Sequence, residues 1–255
     1  MADTSPYLSV VVPCYNESEN LQAGVLEEMN TYLVQQPFTW EVLISDDGST
    51  DDSREVAAAR ISALPGFRLL ANVHGGKPHA VWAGLQQARG QVVLFTDMDQ
   101  STPLDQFSRL KPRLDAGDDV VIGSRGMERE NFPLYRRVGS AVFRSFRRVL
   151  VLPHISDTQC GFKAFKRDVA CEIFPQLEVL QPQKTAKGWQ VTAFDVELLY
   201  LADKAGYSIS EVTVTWSNRD LAVGKQKSYW RESVHMADQV LKILTRRMRS
   251  GRKGS

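Results

Sequence analysis

No stretch of this 255-residue sequence approaches the roughly 18 consecutive apolar residues that a membrane-spanning helix requires. The N-terminus also lacks the basic, apolar and small-residue succession of a secretory signal. The expectation is a cytoplasmic protein that meets any membrane from its surface. Cysteine is scarce: Cys14, Cys160 and Cys171, with no CxxC spacing, exclude a disulfide framework and are read as reduced thiols. There is no Gly/Ser/Pro-rich linker, internal repeat or low-complexity run, so one domain with a substantial core is expected. Charge of one sign is missing as well. With 31 basic against 30 acidic residues and a net charge of +1, no global field recruits a polyanion, and only local charge patterning is informative.

Short apolar runs that stop abruptly at carboxylates are what the sequence does contain. Residues 90–99, Gly-Gln-Val-Val-Leu-Phe-Thr-Asp97-Met98-Asp99, read as a buried parallel strand that delivers two acids to its C-terminal end. Leu8–Val12 runs into Pro13-Cys14-Tyr15-Asn16-Glu17, and Glu41–Ser45 runs into Asp46-Asp47-Gly48-Ser49-Thr50-Asp51. Helical patterns follow each. Asn16 and Glu19 fit a capping box, Leu21, Val25, Met29 and Tyr32 form one apolar stripe, and residues 53–64 form a second helix. Further strands are expected at Phe67–Ala71, Asp119–Gly123 and Ser208–Trp216, with a helix from Pro78 to Arg89 and a last one over about 229–249. This alternation predicts an α/β fold with a mostly parallel sheet, whose ligands bind outside the carboxyl ends of the strands. Paired carboxylates there are hard oxygen ligands suited to Mg²⁺ or Mn²⁺, and through the ion to a diphosphate. Turn-forming Asp residues that merely close a strand are the simpler alternative.

Taken in order, Val-Val-Val-Pro-Cys-Tyr-Asn-Glu, Ser-Asp-Asp-Gly-Ser-Thr-Asp, Gly-Gly-Lys77 and Asp97-Met-Asp99 resemble family 2 glycosyltransferases of the GT-A fold. Gly123-Ser124-Arg125, Asp157-Thr-Gln-Cys-Gly-Phe-Lys163 and Ala193-Phe-Asp-Val-Glu-Leu-Leu-Tyr-Leu201 are similar to the dolichyl-phosphate glucosyltransferase branch and its polyprenyl-phosphate relatives. The resemblance spans about 7–230. It implies a three-layer α/β/α sandwich with a nucleotide-sugar half (about 7–123), an acceptor half (about 124–230) and a C-terminal helix with a basic tail (about 229–255). It also implies inverting transfer of a hexose, best matched by glucose from UDP-glucose, to a polyprenyl or dolichyl phosphate. GDP-mannose as donor, or a saccharide or glycolipid hydroxyl as acceptor, are the alternatives. The mannosyl branch carries a Gln two residues after the second Asp, where this sequence has Ser101.

The resemblance assigns roles residue by residue. Asp99 would bind the metal, with Asp97 at the metal's outer shell or the ribose and Met98 between them in the donor pocket. Asp46 and Asp47 would contact the base, in a pocket shaped by Pro13, Tyr15 and Glu17; helix capping and turn chemistry are expected to coexist for one of the two acids. Lys77 matches the lysine of a Gly-Lys-Gly segment and is no P-loop lysine, since neither the preceding Gly nor the following Ser/Thr is in place; a surface lysine is the plain alternative. His79 is expected on the helix surface. Lys225 and Lys227 fall near a late Ser-Lys element that closes over the diphosphate, unless they are simply a solvated basic loop. Arg125, Arg136 and Ser140 match the acceptor-phosphate positions, where planar bidentate Arg is apt. Asp157 is placed beside the reacting centre, with Gly161 letting backbone approach the acceptor. Asp195 and Glu197 are two residues apart and cannot share a helix face, so at most one enters the site while the other caps the helix or meets water. The segment Gln181–Gln190 reads as a loop.

The acceptor's chemistry bears on Asp157. A hydroxyl must lose a proton to a positioned base, and none of the four histidines lies in a family motif. A phosphate monoester, with a second pKa near 6, arrives ionised and needs only positioning. Between Tyr135 and Leu152, Val138, Val142, Phe146, Val149 and Leu150 can form an apolar helix face flanked by Arg136, Arg137, Arg144, Arg147 and Arg148. Together with the Arg246-Arg247-Met248-Arg249 tail it predicts peripheral binding to an anionic membrane, unless the face packs on the core. Aromatics do not interleave with these basic residues, so nucleic acid is not an expected partner.

Overall fold

The computed structural model describes residues 5–126, 152, 154–181 and 194–221. The expected helices at 135–152 (apart from Leu152) and 229–249, the loop beyond Gln181, and the candidate residues Arg136, Ser140, Lys225 and Lys227 lie outside them.

Seven described strands form one sheet in the order β3-β2-β1-β4-β6-β5-β7. They are β1 (Leu8–Cys14), β2 (Trp40–Asp46), β3 (Phe67–Ala71), β4 (Val92–Phe95), β5 (Val120–Ser124), β6 (Lys163–Lys166) and β7 (Ile209–Thr213). All pairings are parallel except those of β6, which runs antiparallel between β4 and β5. The helices are α1 (Ser18–Gln22), α2 (Val25–Leu33), α3 (Ser53–Ile61), α4 (Lys77–Gln87), α5 (Phe107–Asp115), α6 (Arg167–Ile173) and α7 (Phe194–Lys204). Every residue of β1 is buried because both sheet faces are covered. Val10 and Val12 pack with Leu21, Met29, Ala57 and Phe107 on one side, while Val11 packs with Val81, Leu85, Ala170 and Leu198 on the other. The result is the expected α/β/α sandwich, and its strands read as unbroken apolar runs for that reason.

The strand and helix expectations hold to within one to three residues at their ends, with two exceptions. Asn16 does not cap a helix: its backbone is left-handed at φ 53° and its side chain accepts the Thr50 N–H at 2.9 Å, while Glu17 precedes α1. The stripe from Leu21 to Tyr32 is divided between two helices at Gly24, whose φ of 87° suits a residue without a Cβ,.

Two features hold the sheet in the shape the site needs. Beneath β4, Phe95 stacks on Phe165 at 5.8 Å and meets Phe174 edge-on at 6.1 Å, contacts of about 0.5–1.5 kcal/mol each beyond their burial. At the opposite end of the strands, buried Glu41 accepts the Ser9 hydroxyl at 2.7 Å, the Arg89 N–H at 2.8 Å and guanidinium bonds from Arg89 and Arg68. Burial alone would raise its pKa, but these donors outweigh it and hold the carboxyl below its usual range,.

Candidate active site

The C-terminal ends of β1, β2, β4, β5 and β7 and the start of antiparallel β6 meet at one sheet edge. Cys14 pairs with Asp46, Phe95 with Lys163 and Ser124 with Thr213. Nearly all the described candidate residues collect there. At the β1/β2 end, Tyr15 stacks on His74, centroids 4.5 Å apart. Asp46 accepts Arg54 Nε at 3.0 Å and Nη2 at 2.5 Å together with the N–H groups of Gly48 and Ser49. Asp47 accepts the N–H groups of Gly75 and Gly76 at 2.9 and 2.8 Å and pairs with His74 at 2.9 Å. Turn-holding, expected of one acid, is thus the work of both. Glu17 is buried and accepts Asn20 Nδ2 at 2.6 Å. The thiols of Cys14 and Cys160 are pushed up, chiefly by burial, which makes them packing groups rather than nucleophiles.

At the β4 end the two carboxylates differ. Asp97 pairs with Lys77, which stands at the N-terminus of α4 and is only 8% exposed. Burial works against the lysine's charge, but Asp97, Asp195 and Asp99 more than offset it and its pKa rises. Lys77 is therefore a component of the site and no surface residue. His79 is half-buried and packs against Gly75, not on an open helix surface. Asp97 also lies against Gly161: a Cβ there would stand 2.0 Å from Oδ2. The missing side chain thus makes room for Asp97, a contact that the sequence does not anticipate. Asp99 accepts the Ser101 N–H at 2.9 Å, and its pKa is raised by burial and then by Asp97. Gln100 sits at φ 49° and donates its amide to the Asp97 carbonyl at 2.8 Å, which turns the chain so that both acids face the edge.

At the β5/β6 end, Arg125 grips Asp157 bidentately, Nε to Oδ2 at 2.7 Å and Nη2 to Oδ1 at 2.8 Å. Asp157 also accepts the N–H groups of Arg125 and Gln159. The Trp216 ring lies 5.8 Å from the guanidinium carbon. Burial disfavours the Arg125 charge, yet Asp157 outweighs it and the pKa rises. Lys163 has no solvent exposure; it binds Asp195 at 2.6 Å and the Cys160 carbonyl. Glu197 is buried as well and accepts the Glu178 N–H at 3.1 Å, so neither acid of α7 faces water. A strap after β7 crosses the same edge: Ser217 N–H meets the Ser101 carbonyl at 2.8 Å, Arg219 pairs with Glu28 at 2.6 Å, and Leu221 N–H meets Asn20 at 3.1 Å. The sequence assigns no role to His74, Lys163, Trp216 or Arg219. Lys163 ends a quoted motif and could have been found there; the others carry no local signal.

The family profile described as "Glycosyl transferase family 2" matches residues 9–174. The chain belongs to this family. A "Dolichyl-phosphate beta-glucosyltransferase" of Dictyostelium discoideum is 33% identical over 93% of this chain and 73% of its own length. The Homo sapiens protein of the same description is 32% identical over 88% and 70%. Among solved structures, glucosyl-3-phosphoglycerate synthase from Mycobacterium tuberculosis with Mn²⁺ and UDP superposes with a TM-score of 0.63 at 23% identity, covering 92% of this chain and 77% of that one. A mannosyltransferase from Pyrobaculum calidifontis with GDP-Man and Mn²⁺ gives 0.60 at 20% identity, over 95% and 65%. These structures show a shared GT-A fold.

Family 2 glycosyltransferases of this fold typically work with a divalent ion, and the edge fits one. Asp99 has no ion pair among the described residues and accepts the Ser101 N–H at 2.9 Å, which leaves carboxylate lone pairs open to a cation. No group of three or more His, Cys, Asp or Glu residues forms a closed cage among the described residues. Asp97 and Asp99 would therefore supply two hard oxygen donors and leave the remaining positions to phosphate oxygens and water, the usual habit of Mg²⁺.

Proposed function

We propose that this family 2 enzyme moves glucose from UDP-glucose to a dolichyl or polyprenyl phosphate, with inversion at the anomeric carbon. The Asp157–Arg125 pair carries the reading of the acceptor. The Asp157 carboxylate is engaged by four hydrogen bonds from the protein, so its lone pairs serve Arg125 rather than a substrate proton. Asp157 takes two of the five N–H donors of the guanidinium, which leaves a planar fork for an anion. A phosphate monoester suits this arrangement because it is already ionised and requires orientation only. The relatives described as dolichyl-phosphate beta-glucosyltransferases support the same sugar and acceptor.

On the donor side, Pro13, Tyr15, Glu17, Asp46 and Asp47 are assigned to the nucleoside and Asp97 and Asp99 to the diphosphate. Met98, expected in the donor pocket, is buried in the core cluster with Leu104 and Phe107 and supports the loop from within. Bound Mg²⁺ or Mn²⁺ supplies charge neutralisation to the departing diphosphate. Lys77 fixes the rotamer of Asp97 by its ion pair. By the family resemblance, Lys227 is assigned to the donor, and Arg136 and Ser140 share the acceptor-phosphate role with Arg125. The chain works as a single unit, peripherally bound to the cytoplasmic face of a membrane through the basic amphipathic segment 135–152; no described helix is long and apolar enough to cross one.

A panel of labelled UDP- and GDP-sugars incubated with polyprenyl phosphate tests this. Label from UDP-glucose is expected in the organic phase only with Mg²⁺ or Mn²⁺ present. Efficient labelling of a free saccharide with none in the lipid phase overturns the acceptor, and a preference for GDP-mannose overturns the donor.

A further inference from the structure

The loop that carries Asp157 is held from behind by a residue of β7. Glu211 sits on that strand in register with Ile122 of β5, and β5 leads directly into Arg125. Its Oε2 accepts the Ser156 N–H at 2.9 Å and the Ser156 hydroxyl at 2.6 Å, and its Oε1 accepts the Asp157 N–H at 2.7 Å. One carboxylate thus gathers three donors from two consecutive residues that belong to no strand ladder. Asp157 is buried and is reached from both sides, through its N–H by Glu211 and through its carboxylate by Arg125.

We infer that Glu211 is a positioning residue of the acceptor side: its negative charge fixes the backbone of Ser156 and Asp157, so that the Asp157 carboxylate stays in the plane of the Arg125 fork. Charge-assisted bonds are the stronger kind, and the Asp157 N–H, part-buried where the Ser156 N–H is exposed, would move to find another partner if left unmet,. A shift of the Asp157 backbone rotates its carboxylate out of the bidentate alignment, and Arg125 then loses the contact that fixes its rotamer. β7 is continuous with the strap that reaches Ser101, so the strand that positions the acceptor pair also leads to the loop of Asp99. The consequence for acceptor kinetics rests on the phosphate reading above; the geometric claim does not.

The test uses the full chain with Glu211→Ala and Glu211→Gln. Gln keeps the shape and one acceptor oxygen, and so serves if the Ala variant fails to fold. The acceptor KM is expected to rise about tenfold or more in Ala and less in Gln, while the Kd for UDP-glucose with Mn²⁺ stays within about twofold. The Arg125 Nε–H resonance, identified by its disappearance in Arg125→Lys, is expected to shift in both variants. In an Asp157→Asn background, Glu211→Ala is expected to add under about twofold, since the two residues act as one unit. An unmoved Arg125 resonance, an equal loss of donor affinity, or full additivity with Asp157→Asn overturns the inference. If the wild-type protein ignores polyprenyl phosphate, the acceptor reading fails, while the resonance still decides the role of Glu211.

Discussion

Gly161→Ala is the most demanding test of the donor side. A methyl at this position would lie 2.0 Å from Asp97 Oδ2 and 2.7 Å from its Cγ, where ordinary contact begins near 3.4 Å. Asp97 has only two side-chain torsions, and its other oxygen is tied to Lys77. The carboxylate must therefore retreat by roughly 1.4 Å or the turn at Cys160–Lys163 must open. That turn is itself held by Lys163, through Asp195 and the Cys160 carbonyl, so the carboxylate is the softer partner. Displacement of a site group by about 1 Å costs on the order of 10²-fold in rate. We expect kcat/KM for the donor to fall about 30- to 100-fold, the Mn²⁺ requirement to move to higher concentration, and the urea midpoint to change little. Steady-state kinetics across a Mn²⁺ series, with calorimetric titration of UDP-glucose, reads each quantity. Wild-type kcat/KM and metal dependence in Gly161→Ala would refute the close approach of Asp97 as a functional contact.

Asp99→Asn should abolish metal-dependent donor binding without lowering stability, since the isostere relieves the burial and the repulsion from Asp97 that raise this carboxyl,; titration calorimetry with and without Mn²⁺ checks it. Arg125→Lys should raise the acceptor KM about tenfold while donor affinity is kept, because an ammonium cannot replace the two-pronged contact with Asp157,. Glu41→Gln should cost about 1–2 kcal/mol in urea unfolding, because it weakens the charge-assisted contacts to Arg89 and Arg68, whose own side chains are largely open to solvent,. The lowered pKa of Glu41 makes its contribution present above the unfolded value of about 4.3. Wild-type stability should therefore drop as pH falls below that value, and the variant's curve should be flatter there. In vesicle flotation the full chain should rise with anionic and not with neutral vesicles, each arginine near the surface adding about 1 kcal/mol; equal recovery from both would remove the membrane reading of segment 135–152.

The donor half was legible because its chemistry coincides with local patterns. Val92–Phe95 leads into Asp97 and Asp99, and Trp40–Asp46 leads into Asp47, so strand, edge and acid are read from eight consecutive residues in each case. The same locality explains the misreadings. Asn16 with Glu19 has the spacing of a capping box, but the Thr50 N–H on the neighbouring loop competes for the Asn16 side chain and wins. Nothing in the sequence around Gly161 reveals that antiparallel β6 enters beside β4 and brings the glycine onto Asp97. Lys163 shows the limit most plainly. Its motif identifies it, yet full burial of a lysine is justified by the Cys160 carbonyl, by Asp195 from a helix thirty-two residues on and by the Phe95 ring 5.5 Å away. Glu211 gives no sign at all, since an alternating strand predicts a solvent-facing acid at its position. Glu211 is distinguished by the backbone N–H groups that its carboxylate receives, and the Asp157 N–H lies fifty-four residues away in sequence. Positions that touch ligand tend to sit in motifs, while the residues that hold them are set by which strands become neighbours. Motif reading therefore singles out Asp97, Asp99, Arg125 and Asp157 as candidates, and the sheet order is needed to see what keeps them in place.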